Sequence, residues 1–248
     1  MRSFAGRCPD DDAVNIYRPK LTLSTLSARH HAMPRPAPSS SRVVRRRTTY
    51  HHGNLRPALI AGASALLERE GPLGVTLRGA ARQAGVSQAA PYRHFASKSA
   101  LLAAVAEAGF ESLTHAMSRA ARRHRNTPAG ALEAMAKAIV RFAAEHPSRY
   151  RLMCGPAVRG RDHPSLREAA SAAWQLLTAV IRDCQRVGRI RSGDPEQQGF
   201  VFWALIHGLA VLVVDEQLPP AVLRAHRIED LAGYATGVVL AGLAPQAG

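Results

Sequence analysis

The sequence feature that most limits the possible folds is a close succession of helix start and stop signals in residues 54–97. Leu55, Leu59 and Leu66 recur at steps of three and four residues, which predicts an amphipathic helix, and Gly71-Pro72 ends it. Because a helix of this length is marginal alone in water, it must cover its apolar face with a neighbour. The segment therefore predicts several short helices packed tightly together.

Two further short helices are predicted immediately after it. Thr76 is a suitable N-cap for a helix that ends at Gln83, and Ser87 is a suitable N-cap for one that ends at His94. The connection Ala84-Gly85-Val86 is tight, and glycine readily takes the positive φ that a sharp turn between helices requires. Three short helices with this turn between the last two predict a helix-turn-helix unit.

Helix signals continue along the rest of the chain. Ser97 is an N-cap for a long helix that begins at Lys98, and Asp194-Pro195-Glu196 marks another strong start. A last helix is predicted from Ile228 to Leu243. Since no pattern predicts a pair of strands, the predicted class is all-α, with a three-helix helix-turn-helix domain in residues 50–110 and a larger helical domain in residues 111–248.

Positive charge dominates the chain and is concentrated at its N-terminus. The 248 residues carry a formal net charge of +15. Residues 1–47 contain ten basic and three acidic side chains and a run rich in Pro, Ser and Arg, without helical or strand periodicity, so residues 1–49 are predicted to form a disordered basic arm. The surplus favours a polyanionic partner, either nucleic acid or an anionic membrane surface.

Other patterns predict a cytoplasmic protein without a membrane span. The longest apolar run, Phe200–Val214, is shorter than the roughly 20 residues that a spanning helix needs, and His207-Gly208 interrupts it. The three cysteines are too far apart for a disulfide framework or a CxxC metal pattern. No spacing of His, Cys or acidic residues predicts a metal site, and no nucleotide-binding loop predicts a cofactor.

The third short helix carries side chains that suit double-stranded DNA. An amide and a guanidinium suit base edges in the major groove, and small alanines permit close approach or contact with a thymine methyl group. The start of the following helix adds a cation beside exposed N–H groups, which together can hold a phosphate. The candidate base contacts are Gln88, Ala89, Ala90 and Arg93, and the candidate phosphate contacts are Tyr92, His94 and Lys98.

These positions also form a longer pattern with fixed spacing. It consists of Gly85-Val86-Ser87, Tyr92, His94-Phe95, Lys98 and Leu101, preceded by Val75-Thr76-Leu77-Arg78 and by residues 50–55. The pattern, which spans about residues 50–110, resembles the signature of TetR-family (tetracycline-repressor-like) transcription regulators. The resemblance implies an all-helical homodimer that binds a palindromic operator, usually as a repressor, and a variable C-terminal domain that takes a small-molecule inducer.

The resemblance also implies roles for individual residues. Thr76 and Arg78 would lie beside the DNA backbone, and residues 87–93, from Ser87 onward, would lie in the groove. Phe95 would be a packing residue. Two positions depart from the family pattern: residue 80, usually a branched aliphatic, is Ala, and residue 79 is Gly inside a helix. Glycine there costs about 1 kcal/mol relative to alanine, so these departures predict a less stable helix-turn-helix unit.

The C-terminal half carries a weaker resemblance. Residues 200–208 are similar to the Trp…His-Gly motif of one C-terminal subfamily, and residues 146–153 are similar to the junction at the proline-started helix of that group. The nearly uniform apolarity of residues 201–214 predicts burial on most sides, which suits a homodimer formed by the helices near 196–216 and 228–243.

Several apolar side chains are candidates for an inducer pocket, and each also has a structural interpretation. Met135, Ile139 and Phe142 form a stripe at helical spacing that is ordinary core or, with three more residues, the wall of an apolar cavity. Trp203 and His207 share one helix face and form either a pocket contact or a core pair. The candidate ligand residues are thus Met135, Ile139, Phe142, Met153, Cys154, Trp174, Trp203 and His207, and the predicted inducer is largely apolar.

Two alternatives to a ligand-responsive repressor stay open at this point. The net charge alone suits an architectural protein that binds DNA without sequence preference. An enzyme that uses Cys154 or His207 is the other alternative, although the chain has no HExxH, GxSxG, Walker or paired-carboxylate motif. A further basic cluster, near residues 119–125, suits a solvated helix end whose cations offset the helix dipole.

Overall fold

Helices begin and end close to the predicted signals in the computed structural model, which describes residues 55–158 and 162–245. Within those ranges the chain forms nine α-helices and one 3₁₀ helix, and no strand, so the predicted all-α class is confirmed. The N-terminal arm, residues 50–54 of the family pattern and Cys8 lie outside the described residues. The α-helices are α1 (Leu55–Gly74), α2 (Leu77–Gln83), α3 (Lys98–Arg122), α4 (Pro128–Glu145), α5 (Pro147–Cys154), α6 (Pro164–Arg186), α7 (Pro195–Val214), α8 (Pro220–Ala225) and α9 (Ile228–Gly242); the 3₁₀ helix is Ala90–Arg93.

Three of the predicted N-caps are formed by side-chain hydrogen bonds. The Thr76 hydroxyl accepts from the backbone N–H of Gly79 at 2.9 Å, and the Ser97 hydroxyl accepts from that of Ala100 at 3.1 Å. Asp194 accepts from the backbone N–H of Glu196 at 2.8 Å. Each bond satisfies an N–H group that the helix itself leaves without a partner, so the local sequence is sufficient to fix where these helices start.

The third predicted helix is shorter than expected and is not an α-helix. In place of an α-helix capped by Ser87, residues 88–89 form a turn and a single 3₁₀ turn follows at Ala90–Arg93, without a side-chain cap. Pro91 explains the difference, because it has no N–H to donate to the carbonyl of Ser87 and its ring would clash there. Instead the backbone N–H groups of His94 and Phe95 both donate to the carbonyl of Pro91 at 2.9 Å.

Close packing of small residues joins α1 to α2. A Cβ added at Gly62 of α1 would lie 2.9 Å from the carbonyl oxygen of Ala80, and one added at Gly79 would lie 2.8 Å from the Thr76 hydroxyl. Ala80 is fully buried. The two departures from the family pattern, Gly79 and Ala80, therefore accompany a close approach of the two helices, which offsets part of the buried area that the small side chains forgo.

The long helix α3 is the common packing partner of both halves of the described structure. It contacts α1 on the N-terminal side and α4, α5 and α6 on the C-terminal side. Every residue from Leu101 to Ala106 is buried. The predicted domain boundary between residues 110 and 111 falls inside this continuous helix, next to Gly109, where Met153 of α5 packs so closely that an added Cβ would lie 2.6 Å from its sulfur.

Helix α7 corrects the expectation that no segment is long and apolar enough to cross a membrane. With 20 residues from Pro195 to Val214, it meets the length and composition of a span, and one third of its apolar window is buried in the single chain. The prediction that residues 201–214 are buried on most sides is also wrong for the single chain. Only the face with Phe202, Ile206, Ala210 and Val214 is buried, and the opposite face is exposed.

We expect Gly62→Ala to reduce the free energy of unfolding by about 1–3 kcal/mol, because the new methyl group meets backbone at the α1–α2 contact and the helices must separate. Gly242→Ala is the matched control: nothing lies within 4 Å of its added Cβ, so helix propensity should stabilise the chain by up to about 1 kcal/mol. Urea unfolding followed by circular dichroism measures both, and equal effects would contradict tight packing at Gly62.

Candidate functional site

Residues 87–94, called here the recognition segment, present a polar outer surface over an apolar anchor. Pro91 is buried beneath the segment, and Phe95, which follows it, is buried as well, with the Arg56 guanidinium 5.7 Å from its ring centroid. Tyr92 has 55% of its surface exposed. The exposed candidates for DNA contact are Ser87, Gln88, Ala89, Tyr92, Arg93 and His94, and Ala90 is half-buried.

The neighbouring candidates Thr76, Arg78 and Lys98 lie at the starts of α2 and α3. Arg78 is exposed and free to reach a phosphate. The Thr76 hydroxyl caps α2 as an acceptor, which leaves its proton available for donation. Lys98 is half-buried and donates from Nζ to the backbone carbonyl of Leu73 at 2.9 Å, so it ties the start of α3 to the turn after α1 and keeps two further N–H donors.

The charge around the recognition segment has one sign. The sequence contains no acidic residue between Glu70 and Glu107, whereas Arg78, Arg82, Arg93 and Lys98 all lie in that interval. Such a surface attracts a phosphate backbone and contains no carboxylate to repel it. A short anchored segment that carries an amide, a guanidinium and a phenol beside these cations is equipped to contact both bases and phosphates.

A cavity of about 270 Å³ lies between α5 and α7 in the C-terminal half. Its wall is formed by apolar groups, including Pro156, Val211 and Val214, and by three polar side chains, Tyr150, Cys154 and His207. An apolar wall with a few convergent polar groups is the usual form of a small-molecule site. Two of the predicted ligand residues, Cys154 and His207, therefore share a cavity, together with Tyr150, which the sequence did not single out.

The polar side of this cavity is a chain of contacts centred on His207. Its Nδ1 lies 2.9 Å from the Tyr150 hydroxyl, and Trp203 stacks on the other side of the imidazole with ring centroids 4.7 Å apart and planes 8° from parallel. Burial lowers the pKa of His207, so the imidazole is neutral at physiological pH. Burial also raises the pKa of Tyr150 far above its ordinary value. Both groups are thus uncharged, which suits an apolar ligand.

The cysteine thiol beside them has the properties of a weak nucleophile. Although Cys154 as a whole residue is exposed, its thiol contacts Tyr150, and burial raises its pKa to about 11. Since the thiolate is the reactive form, a thiol with this pKa is almost entirely protonated near neutral pH. The Tyr150–Cys154–His207 group is therefore equipped to bind and not to catalyse.

The short helix α5 connects this cavity to the N-terminal helices. At its N-terminus, the Glu68 carboxylate of α1 accepts from the backbone N–H groups of Ser148 at 3.2 Å and Arg149 at 3.3 Å. At its other end, Arg151 forms an ion pair with Asp215 at 2.7 Å and donates to the carbonyl of Val214. No local pattern announces these contacts, because the partners are separated by more than sixty residues in the chain.

The remaining predicted ligand residues lie apart from the cavity. Met135, Ile139 and Met153 are buried in the core, which matches their structural interpretation, and Phe142 packs edge-on against His146 on another side of α4. Trp174 lies on α6, where its indole N–H donates to Glu196 of α7. The sequence thus placed eight residues in one site that the structure divides between core, cavity and helix surface.

An exposed apolar face runs along α7 and the helix packed against it, α9. Tyr234 of α9 has 76% of its surface exposed, and several large apolar residues of α7 are about half exposed. Gly208 and Gly237 have nothing within 4 Å of an added Cβ, so the face is open where they lie. The exposed apolar residues of the face are Phe200, Val201, Trp203, Leu205, Leu212, Tyr234 and Val238.

Comparison with known families agrees with this division of the chain. Residues 59–105 match the family described as bacterial regulatory proteins of the tetR family. Residues 132–232 match the family described as the tetracyclin repressor-like C-terminal domain. The first match covers α2, the recognition segment and most of α1, and the second covers the cavity and much of the exposed face.

Similar proteins and structures point the same way. The nucleoid occlusion factor SlmA of Marinomonas sp. is 30% identical over 138 residues, which cover 56% of this chain and 69% of that protein; SlmA of Marinobacter nauticus is 28% identical over 138 residues, covering 56% and 70%. A protein of unknown function from Rhodococcus sp. RHA1 has a similar structure (TM-score 0.68, 34% identity, 80% of this chain and 100% of that one). The regulator FadR of Bacillus subtilis, solved with stearoyl-CoA, shares the fold (TM-score 0.61, 14% identity, 75% and 98%).

We expect acid to destabilise the wild-type chain more than the His207→Gln variant. Burial lowers the pKa of His207, so below the ordinary value of 6.5 the unfolded chain binds a proton that the folded chain does not. The stability that this group contributes is therefore present above pH 6.5 and is lost as the pH falls below it. The melting temperature, measured from pH 7.5 to 5.5 for both proteins, should fall less steeply in the variant; equal slopes would contradict a neutral, buried imidazole.

Proposed function

Because the chain belongs to the TetR family of bacterial regulatory proteins, we propose that it is a transcriptional repressor that binds a palindromic operator as a homodimer and is released by a small, largely apolar ligand. Members of this family are DNA-binding regulators and not enzymes, so the chain is a DNA-binding regulator, and the alternative of a Cys154 or His207 enzyme is set aside. Operator, ligand, repression and a cytoplasmic location are the proposed parts of this function.

The observation that carries the proposal is the polar surface of the recognition segment on its buried anchor. Gln88 and Arg93 are exposed beside Tyr92 and His94, while Pro91 and Phe95 fix the backbone from below. Rigid support of this kind holds side chains in one geometry, which base-edge hydrogen bonding requires. A protein that bound DNA through charge alone would have no need of an anchored amide in the middle of a basic surface.

The exposed face of α7 and α9 supports the homodimer. A contiguous apolar face of this kind is unusual on a single chain and marks an interaction surface. In a two-fold dimer α7 and α9 of one copy would pack on the same helices of the other and form a four-helix bundle. This arrangement also accounts for the apolarity of α7 without a membrane, because the second copy covers what the single chain leaves exposed.

Release by a ligand follows from the position of the cavity. Tyr150 and Arg151 of α5 contact α7 near the cavity, and the start of the same helix holds Glu68 of α1. A ligand that binds better to one position of α5 than to another would shift the populations of α1 positions, and thereby the spacing of two recognition segments. The cavity volume of about 270 Å³ suits a small ligand with one polar end.

The SlmA relatives favour a second candidate, a protein that binds chromosomal DNA to act on the nucleoid and not on a gene. The likeness to proteins named nucleoid occlusion factors covers 56% of this chain. This candidate shares the recognition segment with the repressor and differs in what operator binding controls. If chromosomal sites lie far from promoters, the second candidate is favoured; if they overlap a promoter next to the chain's own gene, the repressor is.

We expect Lys98→Ala to weaken binding to every DNA sequence and to reduce the salt slope by about one phosphate contact, whereas Gln88→Ala should change which base is preferred. Genomic fragments enriched by the full chain supply the operator, and fluorescence anisotropy at several salt concentrations supplies the affinities. Arg122→Ala, at the far end of α3, is the control and should change neither.

Two results would contradict the proposed sequence-specific binding. One is equal affinity for the enriched fragments and for scrambled duplexes of the same length, which would favour the architectural alternative. The other is a Lys98→Ala loss that is confined to one operator variant, because a phosphate contact acts alike on all sequences.

We expect the paired substitution Val201→Glu and Val238→Glu to convert the dimer to a monomer in analytical ultracentrifugation, because it places two carboxylates on each copy of the apolar face. Operator affinity should fall at least about tenfold, since one recognition segment reads only half a palindrome. Leu223→Glu, at an exposed leucine of α8 outside that face, is the matched control and should remain dimeric. A double variant that is still dimeric would refute this interface.

A further inference from the structure

A second and larger concavity, of about 510 Å³, lies between the C-terminal part of α3 and the helix antiparallel to it in sequence, α4. It shares no lining residue with the cavity at Tyr150 and His207. Its floor and its rims differ in chemistry. Nothing in the recognition segment, the exposed face or the cavity beside α5 accounts for it.

The groove has an apolar floor and cationic rims because of helical spacing. Ala116 and Ala120 of α3 and Ala134 and Ala138 of α4 lie four residues apart in pairs, and their small side chains leave the space between the helices open. Phe142 closes the floor at one end. The rims repeat the same spacing with Arg119 and Arg123 on α3 and Lys137 and Arg141 on α4.

The two rims differ in how their charges are compensated. On α4, Lys137 is paired with Glu133 at 2.5 Å and Arg141 with Glu229 at 3.3 Å, so these side chains are held in place. On α3, neither Arg119 nor Arg123 has an ion pair with a carboxylate in the described part of the chain. Among the residues that line the groove, only Glu145 is acidic. The uncompensated charge therefore lies along the α3 rim.

DNA bound by the recognition segment does not explain this charge. Arg119 is 21 residues beyond Lys98 on one continuous helix, which separates their Cα atoms by about 32 Å along the axis. The helix dipole explains part of it, because cations are favoured near a helix C-terminus. The dipole does not explain why Arg119 and Arg123 line a groove whose opposite rim, on another helix, is also cationic.

We propose that this groove binds a small organic anion with an apolar body and at least two phosphate or carboxylate groups. The body lies on the alanine floor against Phe142, and the anionic groups accept hydrogen bonds from Arg119 and Arg123, whose guanidinium groups suit bidentate contacts with either group. The volume corresponds to a ligand of metabolite size. The groove follows α3 only from Ser112 to His124, about 18 Å, which is too short for an extended acidic peptide of more than about five residues.

The test measures binding of a fluorescent adenosine diphosphate (mant-ADP) to the full chain without DNA, with competition by ADP, inorganic pyrophosphate and citrate. We expect saturable binding that Arg119→Ala with Arg123→Ala weakens at least about tenfold, because charge-assisted hydrogen bonds are lost. Competition by ADP and pyrophosphate identifies a phosphate ligand, and competition by citrate alone identifies a polycarboxylate. Ala120→Leu, which fills the floor, should weaken mant-ADP more than pyrophosphate.

The matched control is Arg122→Ala with Arg125→Ala, which removes the same charge from the same helix end outside the groove. Its affinity for mant-ADP should stay within about twofold of wild type. Equal losses in the two double variants, binding of a polyglutamate peptide without binding of the small anions, or no saturable binding of any probe would each overturn the proposal. Operator affinity should not change in either variant, so the outcome is independent of DNA binding.

Discussion

The packing of α3 against four other helices is the constraint on which the rest of the structure depends. Its buried run from Leu101 to Ala106 is mostly alanine, and Gly109 admits the sulfur of Met153 at a distance that no other residue would permit. Small side chains let α1, α5 and α6 approach one helix from several sides at close range. A bulkier α3 would have to push the N-terminal and C-terminal helices apart.

This shared helix is also what gives the short contacts of α5 a mechanical meaning. Glu68, on α1, reaches the N-terminus of α5 only because both helices lie against α3. Tyr150 reaches His207, and Arg151 reaches Asp215, because α7 packs on the far side of the same short helix. The recognition segment and the cavity are thus linked by two packed helices and a few hydrogen bonds, which is the kind of element that a ligand can bias.

Individual residues show where prediction from sequence worked and where it did not. Thr76, Gly85, Ser97 and Asp194 acted as predicted, because a cap or a positive-φ turn depends on a residue and its immediate neighbours. Pro91 was placed in an α-helix by its N-cap pattern, although its missing N–H favours the tighter turn that is found. Gly79 and Ala80 looked like a loss of stability until Gly62 was seen across the contact.

The sequence by itself determined the all-α class, the helix starts and the exposed polar set of the recognition segment, since these follow from spacing over a few residues. Only the tertiary structure decided which of the apolar and aromatic candidates share a site. Tyr150, Cys154 and His207 meet at a cavity while Met135 and Ile139 fill the core, and Arg119 faces Lys137 across an alanine floor. Helical periodicity tells which residues share a face, but the neighbour that a face meets is set by how all the helices pack together.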